Sequence, residues 1–299
     1  MDVLCVGHVT YDTTFACNSY PKENSKTRFH EQEQTTGGSL AISAILLAKW
    51  NQKVEMAALV GDDEAGRKIK KELSINRVGT KYLQTKEDYK TSYSLVLANR
   101  ENGERTIFNY VEKNNNLAPL ELESTPKYIL IDGFEYEASK KLLKKYPNAI
   151  SIMDADSDKK EVIDLATMVN YLVCSKEFAE KITGIKIDFL NKQTLVDIYL
   201  KMEKMFKNKI IITLEKNGVI YRYNDQIKLM PSIKVKTIDS TGVGGVFHGA
   251  FIYGLMQKFD YEKVLKYANV AGALSVTRIG SYRSIPTLEE MNGVYGQIK

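Results

Sequence analysis

The chain has 299 residues, 43% hydrophobic and 26% charged, enough to bury a full core as one large α/β domain or a domain with a lid. Its 42 basic and 37 acidic residues leave a thinly spread net charge of +5, and Lys70-Lys71 and Lys159-Lys160 read as solvated faces, so no nucleic-acid partner is expected. The distant Cys5, Cys17 and Cys174 suggest neither a disulfide framework nor a CxxC site, His8, His30 and His248 lack zinc-ligand spacing, and the longest apolar stretch, Ala41 to Ala48, is too short to span a bilayer.

The N-terminus enters a short apolar run, Val3 to Val6, ended by Gly7, which suits a buried parallel strand. No basic n-region or cleavage site precedes it, so a cytoplasmic protein without a membrane partner is expected. Residues 13–36 are polar and alternating and predict exposed antiparallel strands forming a lid. Gly37 and Gly38 break that pattern before a helix over Ser39 to Trp50. A strand follows at Val54 to Val60, then a charged helix from Arg67 to Leu73. Thr91 to Ala98 and Arg105 to Val111 predict a hairpin around Asn102-Gly103. From Lys127 a β/α rhythm resumes, with strands at Tyr128–Ile131, Ala149–Met153, Tyr171–Val173 and Ile210–Leu214. The chain reads as a βα core interrupted by two polar β insertions, at about 13–36 and 91–111, within one domain over residues 1–299.

The segment Asp239 to Phe251 contains three glycines, Gly242, Gly244 and Gly245, between a polar lead-in and an apolar run at helical spacing. This predicts a glycine-rich turn feeding a helix N-terminus. Unpaired backbone N–H groups and the helix dipole there attract an anion such as phosphate. Nothing in positions 242–247 can take a proton.

These pieces, in this order, resemble the PfkB (ribokinase-like) carbohydrate kinase family over nearly the whole length. Gly7 through Asp12 resembles the family's strand-end substrate motif, and Gly37-Gly38 its helix start. Val60 to Asp63 with Gly66 resembles "VGDDxxG", and Asn102 to Thr106 the lid return. Asp239 to Gly245 resembles the signature "DTxGAGD". Ala268 to Ala273, and Thr277 to Gly280 through Ser284 to Pro286, resemble the C-terminal pattern.

The resemblance implies a ribokinase-like three-layer α/β/α core with a small β-sheet lid, and transfer of the ATP γ-phosphate to a sugar hydroxyl with Mg2+. It implies substrate binding by Asp12, Gly37, Gly38, the position of Ile42, and Arg105. Nucleotide contacts fall on Thr213, Glu215, Gly218, Gly242, Gly244 and Asn269. Gly242, Val243 and Gly244 correspond to the anion hole. Asp239, Thr241, Ser275, Arg278, Gly280 and Ser284 resemble the monovalent-cation loop, for K+, of some relatives. A homodimer through the lid is also implied.

Four positions depart from the family pattern. Gly245 stands where the last Asp of "GAGD" would take the acceptor's proton, and losing a general base typically costs about 10²- to 10⁴-fold in rate. Phosphoryl transfer rests mainly on positioning and charge stabilisation, so the expectation is an impaired sugar kinase. Ile42 replaces a sugar-contacting Asn, Ser175 to Phe178 replaces "NxxE", and Glu215 replaces a Gly near the nucleotide phosphates. The alternatives are a nucleoside kinase and a non-catalytic binding protein.

Overall fold

Buried four-residue strands carry the centre of the molecule. The computed structural model describes residues 1–112 and 116–297. In β1 (Val3–Val6) every side chain is buried, Val3 and Cys5 in one hydrophobic layer, Leu4 and Val6 in the other. That is the period of a strand covered on both faces. β2 (Thr10–Cys17) and β3 (Gln32–Gly37) follow, then α1 (Ser39–Lys49), β4 (Val54–Gly61), α2 (Glu64–Ile75) and β5 (Leu83–Lys86). β6 (Tyr93–Asn99) and β7 (Arg105–Tyr110) form a hairpin. A β/α alternation then runs through β8 (Tyr128–Ile131), α3 (Tyr136–Lys145), β9 (Ile150–Ala155), α4 (Lys160–Ala166), β10 (Tyr171–Ser175), α5 (Lys176–Thr183), α6 (Gln193–Met205) and β11 (Lys209–Thr213). The chain closes with β12 (Val219–Tyr223), β13 (Gln226–Met230), α7 (Val243–Met256), α8 (Tyr261–Ser275) and α9 (Leu288–Gln297).

The main sheet has nine strands in the order β13-β12-β11-β10-β9-β8-β1-β4-β5, parallel from β11 to β5 and antiparallel at β12 and β13. α1, α2, α7 and α8 cover one face, and α3 to α6 the other. This is the expected three-layer core. A second sheet, β3-β2-β6-β7, stands apart from it. Among the described residues no helix is long and apolar enough to cross a membrane.

Three details differ from the sequence-based expectation. The strands of the first insertion occupy 10–17 and 32–37, leaving residues 18–31 outside any strand. The β12–β13 hairpin was not anticipated; its turn uses Asn224 and Asp225 at φ 47° and 59°, a left-handed pair that suits a tight hairpin. α2 begins at Glu64 rather than Arg67, because Asp63 caps it. The Asp63 Oδ1 accepts from the Gly66 N–H at 2.8 Å and from the Thr91 hydroxyl at 2.7 Å, and Oδ2 accepts from the Thr91 N–H at 2.9 Å. Burial pushes this carboxyl up, but the hydrogen bonds from Thr91 and Gly66 outweigh it and hold it below its usual range. One side chain thus starts a helix and pins the approach to β6. Asp63→Ala is expected to lower the unfolding free energy by about 1–2 kcal/mol in urea titration; a change within experimental error would show that the cap is redundant.

Candidate functional site

Parallel strands leave their C-terminal ends open to ligands, and the N-termini of α1 and α7 converge on that edge. Gly242 caps α7 in the left-handed region (φ 81°), and no side chain caps the helix. The first-turn N–H groups of an α-helix have no intrahelical partners, and although the Val243 N–H makes a long 3.4 Å bond back to the Ser240 carbonyl, the start of α7 at Val243 and Gly244 is a cradle suited to an anion. The Thr241 hydroxyl beside it is buried with no hydrogen-bond partner among the described residues. Asp239 stabilises this turn from behind: Oδ1 accepts from the Thr241 N–H at 2.8 Å and Oδ2 from the Gly280 N–H at 3.1 Å.

Gly245 is held by space, not by backbone conformation. A Cβ there would lie 2.8 Å from the Ile42 Cβ and closer still to the Ser39 carbonyl oxygen. The Ser43 hydroxyl donates to the Gly245 carbonyl at 2.8 Å, drawing α1 and α7 together. Ile42 is buried, and its Cδ1 would meet a Cβ at Gly242 at 2.8 Å, so it packs under the cradle. Ile42 and Ser39 therefore occupy the room that a side chain at position 245 would need.

Of the residues expected on the substrate side, Asp12, Gly37 and Arg105 lie on the second sheet, whereas Gly38 and Ile42 belong to the start of α1. Asp12 pairs across the sheet with Ser94, and Ser94 with Asn109; four pairs along, Ala16 faces Ala98 and Ala98 faces Arg105. The strand period places Asp12 and Arg105 on one face. Asp12 is buried and accepts from the Thr10 hydroxyl at 2.6 Å. Burial pushes its carboxyl up, with Thr10 and Ser94 opposing. A Cβ on Gly37 would overlap this carboxylate, and Gly38 turns into α1 at φ 93°. Arg105 donates to the Ser240 hydroxyl at 2.6 Å, and that hydroxyl donates to the Gly103 carbonyl at 3.0 Å. The hairpin thus rests on the residue beside the cradle. A cavity of about 70 Å³ lies between this face and the Asp239 and Ile279 loops. A larger one, about 400 Å³, opens at the opposite edge around Lys53, Glu55 and Arg77, away from the strand ends where ligands bind.

The remaining positions divide. Thr213 ends β11 and donates to the Cys174 carbonyl at 3.2 Å, and Glu215 is exposed at φ 53°. Gly218 lies against the Met230 carbonyl, and the Asn269 amide donates to the Pro231 carbonyl at 2.9 Å, fixing the chain beyond β13. Of the loop around Asp239, Thr241 and Gly280 are joined through Asp239. Ser275 bonds within its own helix to the Gly272 carbonyl, Ser284 donates to the Ser281 carbonyl, and Arg278 pairs with Glu290 of α9.

A group of acids at the strand ends escaped the sequence reading. Asp132 follows β8, and its carboxylate accepts from the His8 N–H at 2.8 Å and the Phe134 N–H at 2.9 Å. Burial raises its carboxyl to about 7, and burial with the Asp154 charge raises Asp156 to about 6. Burial lowers the His8 imidazole to about 4. Asp154, inside β9, accepts a short hydrogen bond from the Ser39 hydroxyl, and its other oxygen lies 3.6 Å from His248 Nε2. Reading β9 as ending at Met153 hid this residue. The period of the strand was the available signal, since Ile152 on the same face packs into the α1–α7 layer.

A glycine-led helix start without a side-chain cap, at the C-terminal edge of a doubly covered parallel sheet with a small second sheet against it, defines a class of α/β protein. The family model for pfkB family carbohydrate kinases matches residues 1–288, and the chain belongs to that family. It is 24% identical over 310 residues to a ribokinase of Staphylococcus aureus, covering 98% of this chain and 99% of that protein. It is likewise 24% identical over 307 residues to a deoxyribokinase of Salmonella typhi, covering 98% of each. The structure of an Arabidopsis thaliana ribokinase complexed with ribose and ATP superposes with a TM-score of 0.80 at 18% identity, covering 98% of both chains. The fold is ribokinase-like.

Gly245→Ala is expected to destabilise the protein by about 1–3 kcal/mol, since overpacking forces α1 and α7 apart. Gly245→Asp should melt lower still, so it is not a clean restoration of the family residue. Unchanged melting of both would refute the steric account. Asp132 gives a pH signature. Its folded pKa lies above the ordinary value of 3.8, so the native state keeps a proton that the unfolded chain has lost. Stability should fall as pH rises from about 4 to about 7, and Asp132→Asn should flatten that slope in denaturant titrations at stepped pH.

Proposed function

We propose that this chain is an ATP-dependent kinase that transfers a phosphoryl group to a hydroxyl of a sugar or sugar-like acceptor, at a rate lowered by the glycine at position 245. The observation that supports this most is the α7 N-terminus: an uncapped helix start on a left-handed Gly242, facing the strand ends beneath the second sheet. Its N–H groups fit the γ-phosphate and the charge that develops on it during transfer. Arg105, seated on Ser240, would reach the same phosphate or the acceptor. Asp12 and the bare backbone at Gly37 and Gly38 would hold acceptor hydroxyls. Thr213, Gly218 and Asn269 would border the nucleotide.

Among the described residues no cluster of three or more His, Cys, Asp or Glu side chains is arranged around a metal ion. Mg2+ would therefore arrive on the nucleotide's phosphates and screen their charge, keeping waters in its shell. The Asp239 loop, tied to Gly280, would be where K+ acts if the protein responds to it. The small second sheet would serve as the lid. Its far face exposes Tyr93, Leu95 and Phe108, and β7 is an edge strand, which supports a homodimer through this sheet.

Relatives at equal identity are named for ribose and for deoxyribose, so similarity does not choose the acceptor. An acceptor panel does. With ATP and Mg2+, ADP release is expected with one of a set of pentoses, ketoses, sugar acids and sugar phosphates. Preferential turnover of adenosine or pseudouridine would shift the reading to a nucleoside kinase. Thermal stabilisation by an ATP analogue and a sugar without transfer would shift it to a binding protein. Absence of both stabilisation and ADP release would defeat the proposal.

A further inference from the structure

The site lacks a proton acceptor at position 245, yet a carboxylate from another element meets residues of both α1 and α7 beside it. Asp154 lies on the face of β9 that packs toward α1 and α7. One of its oxygens accepts from the Ser39 hydroxyl, on the residue whose carbonyl crowds Gly245. The same hydroxyl oxygen would stand 3.9 Å from a Cβ on Gly244, in the cradle itself. The other oxygen faces His248, one turn into α7. His248 Nδ1 lies 2.8 Å from the Gly244 carbonyl, which can only accept, so Nδ1 carries the proton and Nε2 is the basic nitrogen. That nitrogen is buried without a hydrogen-bond partner among the described residues and faces the Asp154 carboxylate at 3.6 Å.

Asp132 and Asp156 are less suited. Asp132 is committed to the N–H groups of His8 and Phe134. Among the described contacts, Asp154 alone of the three acids joins α1 to α7. Its side chain is 17% exposed, enclosed yet open to a ligand at the cradle.

We propose that Asp154 is the base of this enzyme, replacing from β9 the carboxylate that position 245 cannot hold, with Ser39 and His248 as the residues that position it. The inference rests on the kinase reading above. As the acceptor O–H bond breaks, its proton passes to Asp154, and the oxygen's electron pair forms the new O–P bond. The bond between the γ-phosphorus and its bridging oxygen breaks, and ADP leaves with that electron pair. The proton on Asp154 can then move to His248 Nε2, whose lone pair faces it, or to solvent. The arrangement restores proton removal without room at the α1–α7 contact.

Asp154→Asn keeps the size and the ability to accept from Ser39. Its kcat is expected to fall by about 10²-fold or more while the KM values for ATP and acceptor hold. Asp154→Glu, which keeps the carboxylate, should retain more turnover than Asp154→Asn. His248→Gln should lower kcat less than Asp154→Asn does, again without a change in KM. Stabilisation by an ATP analogue reports whether each variant is folded and binding; if Asp154→Asn does not fold, the ordering of Asp154→Glu and His248→Gln against the parent decides. Parental kcat in Asp154→Asn overturns the assignment, as does equal loss in the Asn and Glu variants with binding intact. A parent chain that binds both ligands but transfers nothing overturns it and leaves the binding reading standing. A parent that neither binds nor transfers defeats the kinase reading itself.

Discussion

The seating of α7 against α1 governs the whole candidate site. Two helices can approach this closely only where one of them presents backbone instead of side chains, and α7 does so at Gly245 and again at Gly249, whose Cβ would meet the Ser43 carbonyl at 3.0 Å. The Ser43 hydroxyl adds a hydrogen bond across the contact. The atoms that a side chain at 245 would meet first are the Ser39 carbonyl oxygen and the Ile42 Cβ, with the branched Ile42 Cγ2 next, so a side chain there requires α1 itself to move and not only a change of residue at 42.

The same contact sets the electrostatics. It brings the α7 dipole, Ser39 and His248 to the strand ends, where Asp154 of β9 lies near Asp132 and Asp156, which immediately follow β8 and β9. Three full negative charges beside a phosphate cradle would oppose phosphate binding. Burial reduces that opposition, because it favours the neutral forms of Asp132 and Asp156 and so lowers the local charge. Asp239 plays a different part. Both of its oxygens are spent on backbone N–H groups, and it shapes the cradle without facing into it.

Much of this was readable from residues alone, for identifiable reasons. Strands buried on both faces read as continuous apolar runs, and β1, β4 and β8 were placed within a residue or two. Glycines that punctuate strand and helix marked the starts of α1 and α7. The β12–β13 hairpin was missed because its turn is built from Asn and Asp without the glycine that usually signals one. Asp154 was missed for a simpler reason: a charged residue closing an apolar run looks like the loop after a strand, whereas here it is the strand's last turn toward the ligand edge.

By itself, the sequence determined the family, the three-layer core and the glycine-rich start of α7, because each is written in local patterns of period, punctuation and helix start. It also showed that position 245 holds no base. Only the tertiary structure decided what that glycine means. A missing side chain is a local fact, but the volume it leaves belongs to residues distant in the chain. Ser39 and Ile42 fill that volume, and Asp154 meets Ser39 from a strand more than a hundred residues away. Contacts of that separation are made by the fold, and no local pattern encodes them.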